Sequence, residues 1–172
     1  MLSSILKKSD CASCKFCCSF RRQSLWETPV FDAETTEKLR KIYPDVKFIP
    51  TGNSTRQKTS YTFDISDKYK TSDSKEEVPC PFLDTSKGCM LGPELKPFDC
   101  SIWPFRAVKN SVDGAEKISV ALTPTCPAIN RVPKTDIKNL LESGLGQKIL
   151  DYAESHPNII KEYSEFLSDI VY

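Results

Sequence analysis

The sequence predicts an α+β fold: a small, irregular cysteine-cluster metallo-domain with short strands and hairpins, followed by a C-terminal helical segment. Three observations predict it. Cysteines crowd the N-terminal region as Cys11, Cys14, Cys17 and Cys18, and four more follow singly at Cys80, Cys89, Cys100 and Cys126. The middle of the chain offers only brief alternating stretches, broken by Pro and Gly, which suit short strands and turns. From Pro133 onward apolar residues recur at helical spacing and no cysteine is present. With 172 residues and a hydrophobic content of 39%, the chain fits one structural unit with a modest core. Residues 1–132 read as an eight-cysteine metal-binding domain, and residues 133–172 as a helical cover packed on it.

Taken in order, residues 1–28 hold the clustered cysteines between basic residues, Lys7, Lys8, Lys15, Arg21 and Arg22. Cations beside thiolates lower the thiol pKa and offset the negative charge of a site, although a solvated basic surface explains them as well. Asp32 is placed to cap a helix from Ala33 to Tyr43, with Leu39, Ile42 and Tyr43 on one face, and Pro44 stops it. Residues 46–49 read as extended, Pro50-Thr51-Gly52-Asn53 as a turn, and residues 57–65 as a half-buried strand through Thr59, Tyr61, Phe63 and Ile65. Residues 66–77 are polar and unpatterned, the mark of a surface loop. Cys80-Pro81-Phe82-Leu83-Asp84 leads through Gly88 into Cys89 as a small hairpin or knuckle. Two stretches, 105–109 and 117–122, flank Asp113-Gly114 and predict a hairpin. Thr135 caps a helix over Asp136–Ser143, Gly144 and Gly146 break it, and Gln147–Ser155 forms the next. Pro157 opens a third predicted helix running to about Val171, with Ile159, Ile160, Tyr163, Phe166, Leu167 and Ile170 at helical spacing.

The formal net charge is +1, and thiolates holding metal leave the chain near neutral, which argues against a nucleic-acid binder led by phosphate contacts. No stretch approaches the roughly 18 apolar residues of a membrane helix. Residues 1–8 carry a short apolar run with its charges after it, unlike a secretory signal, so a cytoplasmic location is expected. Thiols stay reduced there, and clustered cysteines then signal metal or redox chemistry. A secreted disulfide framework is the competing reading, because eight is an even number. It would require the adjacent Cys17 and Cys18, with Cys11 and Cys14, to find partners radiating from one short segment.

Two residues between cysteines let both sulfurs reach one ion, and Cys11, Cys14 and Cys17 match the first three positions of a bacterial-type cubane run. Cys18 adjoins Cys17, and neighbouring side chains diverge, so one of the pair serves a second site or bridges two metals. The resulting partition places Cys11, Cys14, Cys17 and Cys126 at one site, and Cys18, Cys80, Cys89 and Cys100 at the other. Zinc and iron–sulfur chemistry both suit all-cysteine ligation. The second block lacks any C-x2-C hook of the kind zinc pairs use, which tilts the reading toward a 4Fe-4S cluster, one or two in number. His156, the single histidine, lies far from every cysteine and reads as a surface residue. Phe82, Phe98, Trp103 and Phe105 crowd the second block, as core packing or as a hydrophobic shell around a redox centre. Arg106 beside them is a candidate for holding an acidic group.

The order of these cysteines resembles that of the YkgJ-like cysteine-cluster proteins, a family of zinc- or iron-chelating domains. The resemblance rests on Cys11-x2-Cys14-x2-Cys17-Cys18, then Cys80-Pro81-Phe82-Leu83, then Cys89, then Lys96-Pro97-x2-Cys100-x3-Pro104-Phe105, and covers roughly residues 11–126. Lys96 stands where that family has arginine, Ser101 replaces another arginine, and Trp103 a phenylalanine. The resemblance implies metal binding by all eight cysteines. Some members are linked to N-methylation of flagellin lysines, which implies a methyltransferase-type enzyme as an alternative. The residues themselves offer no dinucleotide-binding glycine motif and no Ser-His-Asp or Cys-His arrangement. The function expected is therefore a redox or metal-dependent module holding an iron–sulfur cluster, with a protein partner (redox or substrate protein), no nucleic acid and no membrane. A structural zinc-binding interaction domain is the alternative.

Overall fold

The computed structural model describes residues 6, 12–52, 59–163 and 169–172. Helices and small antiparallel sheets make the chain an α+β protein, with a helix toward its C-terminal end, as the sequence predicts. It divides into two units, Lys15–Ser101 and Ile102–Tyr172, the second also taking in the segment up to Cys14. The division falls at Ile102 rather than at residue 133, because the long central hairpin packs with the helices that follow it.

In the unit Lys15–Ser101, β1 (Ser19–Arg21) leads through a 3-10 segment to α1 (Ala33–Ile42). The Asp32 side chain accepts the Thr35 N–H at 2.7 Å, capping α1 where the sequence places its start. Leu39 and Thr36 are fully buried, whereas Ile42, expected on the same face, is 55% exposed. Strands β2 (Phe48–Thr51) and β3 (Ser60–Phe63) pair antiparallel, so Pro50 and Thr51 belong to a strand and not to the expected turn. Next come β4 (Glu77–Pro79), the two-residue strands β5 (Leu83–Asp84) and β6 (Gly88–Cys89), and α2 (Phe98–Ile102). β4 pairs antiparallel with β1, Phe20 facing Val78. The loop before β4 is pinned by Glu76, whose carboxylate accepts the N–H groups of Lys70 and Thr71 at 2.7 and 2.8 Å.

An aromatic core holds this unit together. Phe20, Phe31, Phe48, Phe63 and Phe82 are buried with Leu39, Ile65 and Val78. Their rings meet edge to face: Phe20–Phe63 at 5.6 Å, Phe31–Phe48 at 5.6 Å and Phe31–Phe82 at 5.9 Å between centroids. Such pairs are worth about 0.5–1.5 kcal/mol each beyond area burial, which matters in a chain with few aliphatic residues to spend on a core.

The other unit is built on the hairpin β7 (Phe105–Val112) and β8 (Ala115–Leu122). Asp113 and Gly114 both adopt positive φ, 52° and 79°, the backbone of a type I′ turn whose twist matches the strands. Helices α3 (Lys134–Leu140) and α4 (Gly146–Ser155) follow, joined by a wide turn in which Gly144 takes φ 115°. The helix predicted from Pro157 to Val171 is not formed at its described residues. A 3-10 turn covers Pro157–Ile159, then β9 (Lys161–Glu162) pairs parallel with β7, and β10 (Asp169–Ile170) pairs antiparallel with β8. Both edges of the hairpin thus gain backbone partners, which outweighs the helical periodicity of the tail.

Val120 and Tyr172 exchange backbone hydrogen bonds, Val120 N–H to the Tyr172 carbonyl at 2.8 Å and the reverse at 3.2 Å. The Tyr172 ring lies over Gly146, where an added Cβ would stand 2.6 Å from ring carbons. Helix propensity alone favours Ala over Gly by about 1 kcal/mol. Gly146→Ala is nevertheless expected to destabilise the chain by about 1–2 kcal/mol through overpacking. The same substitution in Tyr172→Ala is expected to stabilise. Denaturant unfolding of the four proteins checks this; a gain from Gly146→Ala alone would contradict it.

Candidate metal centre

Lys15 adopts a left-handed backbone conformation (φ 56°), turning the chain sharply into the 3-10 turn Phe16–Cys18. The Cys18 N–H closes this turn on the Lys15 carbonyl at 3.0 Å. The Cys18 carbonyl in turn accepts the Cys80 N–H at 2.7 Å. Cys18 and Cys80 are thus linked by one backbone hydrogen bond just beyond the Ser19–Pro79 pair that ends the β1–β4 ladder.

The second block forms the knuckle and hairpin that its sequence predicts. Pro81 has no N–H to extend the strand, and the Leu83 N–H turns back to the Cys80 carbonyl at 3.0 Å. Within that turn the Phe82 N–H donates to the Cys80 sulfur. Strands β5 and β6 then bring Cys89 opposite Leu83, with Gly88 supplying the positive φ of the turn. Cys100 lies in α2, where Asp99 accepts its N–H at 3.1 Å through Oδ1 and the Val30 N–H at 2.9 Å through Oδ2.

These connections gather thiols from four distant points of the sequence. Cys80 is within electrostatic reach of Cys18 and Cys89, and Cys100 within reach of Cys80 and Cys18. Cys17 joins them by donating a hydrogen bond to the Cys18 sulfur. That bond, aided by the Lys96 cation and opposed by burial, lowers the Cys18 thiol to about 7. Burial pushes Cys80 up to about 12, against the pull of the Phe82 amide. Burial, with the Asp99 carboxylate, also holds Cys100 well above the ordinary thiol range. The group thus combines one thiol poised to ionise with two that ionise only when a strong positive partner takes the place of their protons.

Cys14 and Cys126 belong to the other unit, Cys14 exposed and Cys126 buried; Cys11 lies outside the described residues. Every described cysteine is a free thiol. Among the described residues, no three Cys, His, Asp or Glu side chains are arranged to hold a metal ion as they stand. The donor set suits a thiophilic metal, since the thiols share one region, and binding requires their sulfurs to turn toward a common point. His156 is exposed, stacked on Tyr152 at 4.0 Å, as a surface residue would be.

Of the basic residues that flank the N-terminal cysteines, Lys7 and Lys8 lie outside the described residues, and the other three are committed elsewhere. Arg21 pairs with Glu77 at 3.0 Å, Arg22 stacks on Tyr69 and donates to the Thr71 carbonyl, and Lys15 donates to the Thr85 carbonyl. The cation that acts on the thiols is Lys96, four residues before Cys100 in sequence. Its position in the resemblance to a cationic motif was the signal available for it. Phe82 packs in the aromatic core and Phe105 is buried in the other unit, so both serve packing. Arg106 is buried with its guanidinium 4.8 Å above the Trp103 ring. No family model, curated protein or solved structure matches the chain.

In reduced, metal-free protein, iodoacetamide is expected to label Cys18 with a half-maximal rate near pH 7, while Cys80 stays unreactive until strongly alkaline pH. Lys96→Gln removes a lowering influence, so the Cys18 midpoint should rise. Peptide mapping across pH reads both. A Cys18 midpoint no lower than the ordinary thiol value of about 8.5 would contradict this electrostatic picture.

Proposed function

We propose that this chain is a metal-binding protein that holds an iron–sulfur cluster through cysteine thiolates and acts as a redox or metal-dependent module. One observation carries the reading: Cys18, Cys80, Cys89 and Cys100, scattered along the sequence, share one region with Lys96. Packing alone gives no reason for four thiols from a turn, a strand end, a hairpin and a helix to converge on one region, whereas thiolate ligation of a metal does.

Each residue has a definable part. Cys18, Cys80, Cys89 and Cys100 would supply four thiolates, with Cys17 alongside. The Phe82 N–H steadies the charge on the Cys80 sulfur, the kind of hydrogen bond that raises a cluster's potential. Lys96 offsets part of the negative charge of four thiolates. A bound cluster would supply one-electron transfer. A protein partner and a cytoplasmic location accompany this reading. Among the described residues, no helix is long and apolar enough to cross a membrane.

The same four thiols would suit a single tetrahedral zinc. Protein purified without oxygen is expected to be brown, with iron and acid-labile sulfide in equal amounts. Cys80→Ser should lose most of both, whereas a Ser13→Ala control keeps them. Colourless protein carrying zinc would overturn the iron–sulfur assignment, and protein carrying neither would overturn metal binding. Removing the metal should also lower the thermal midpoint by many degrees, because binding energy at a structural site, on the order of 10 kcal/mol, is folding energy.

A further inference from the structure

We propose that Cys18 and Cys80 are a disulfide-forming pair, a modification site that closes when the metal-free protein meets a small-molecule disulfide. The pair is set by the β1–β4 ladder. Ser19 faces Pro79, Phe20 faces Val78 and Arg21 faces Glu77, and this register continued one position outward sets Cys18, the last residue of the 3-10 turn, against Cys80. The 2.7 Å hydrogen bond from the Cys80 N–H to the Cys18 carbonyl ties the two residues together, while the Cys18 N–H turns away to the Lys15 carbonyl at 3.0 Å. Directly opposed antiparallel residues have Cα atoms about 4.5–5.5 Å apart and side chains on the same face. A disulfide accepts Cα separations of about 4.4–6.8 Å. Little backbone movement is needed, and little is available, since Phe20 and Val78 anchor the ladder in the core. Both sulfur-bearing residues are partly exposed, so a small reagent can reach them.

Other partners for Cys18 are poorer. A bond to Cys17 would close a strained ring between adjacent residues. Cys89 and Cys100 sit on a different hairpin and on a helix, neither of them in register with β1.

The chemistry balances with glutathione disulfide as oxidant. The Cys18 thiolate attacks one sulfur, forming a mixed disulfide and expelling one glutathione thiolate. The Cys80 thiol, held beside the mixed disulfide, gives its proton to the expelled glutathione thiolate and attacks the Cys18 sulfur within the same molecule, expelling the second. Two cysteine thiols are oxidised and one glutathione disulfide is reduced to two glutathiones. A consequence, which rests on the metal-binding reading above, is that oxidation withdraws two donors and shuts the site until a thiol reductant reopens it.

The test treats chelated, reduced full-length protein with glutathione disulfide, alkylates the remaining thiols and maps tryptic peptides. The expected product joins peptide 16–21 to peptide 76–87, is lost in Cys18→Ser and persists in Cys17→Ser. Closure within peptide 16–21, a link to the peptide holding Cys89 and Cys100, or no link at all would overturn the pair. In metal-loaded protein the link is expected to fall at least tenfold. Equal linkage with metal bound would overturn the regulatory consequence and leave the pair standing, while absence of the link leaves metal binding to its own test.

Discussion

A single short ladder fixes the geometry on which this chain depends. β1 and β4 are three residues each, and their pairing spans most of the Lys15–Ser101 unit in sequence. Closing so long a loop costs conformational entropy that three rungs of hydrogen bonds would not offset alone. The aromatic core makes up the difference. Phe20 and Val78, opposite each other on the ladder, are buried against Phe63 and Phe82. Cys18 and Cys80 stand just beyond the end of the ladder, so the residues that fix the fold also fix the thiols.

Phe82 ties packing to chemistry within one residue. Its ring is 1% exposed and meets Phe31, Tyr43 and Phe63, while its N–H donates to the Cys80 sulfur. Pro81 makes this possible by ending β4 and turning the chain. A change that loosened the Phe82 ring would therefore disturb the electrostatics of Cys80 without touching the thiol. Asp99 works in a similar way, joining the start of α2 to Val30 while bearing on the ionisation of Cys100.

Local chemistry makes some of this readable in the sequence alone. Asp32 before an amphipathic run and Asp113-Gly114 between alternating stretches each act on neighbouring residues, and the structure follows both. The knuckle at Cys80-Pro81-Phe82 was legible for the same reason. The β1–β4 pairing was not, since three-residue strands far apart in sequence leave no periodic trace. Lys96 was legible only as a position in a motif, and its action on Cys18 was not, because a cation's influence depends on where the chain returns and not on which thiol is next to it. The tail misled in the opposite direction. Ile159, Ile160 and Tyr163 repeat at helical spacing, yet the open edges of the β7–β8 hairpin recruit this segment as strands, the Tyr163 N–H reaching the Lys109 carbonyl at 3.1 Å. Tertiary demand for backbone partners overrode a local preference.

The central claim is that the thiols gathered around Cys18 and Cys80 are metal ligands. X-ray absorption at the metal edge, on protein purified without oxygen, tests it most directly. The account predicts a first shell of sulfur alone, at about 2.3 Å, with further scattering from neighbouring iron atoms. It also predicts that Cys80→Ser changes that shell. A first shell of nitrogen or oxygen, or one that Cys80→Ser leaves unaltered, would contradict it.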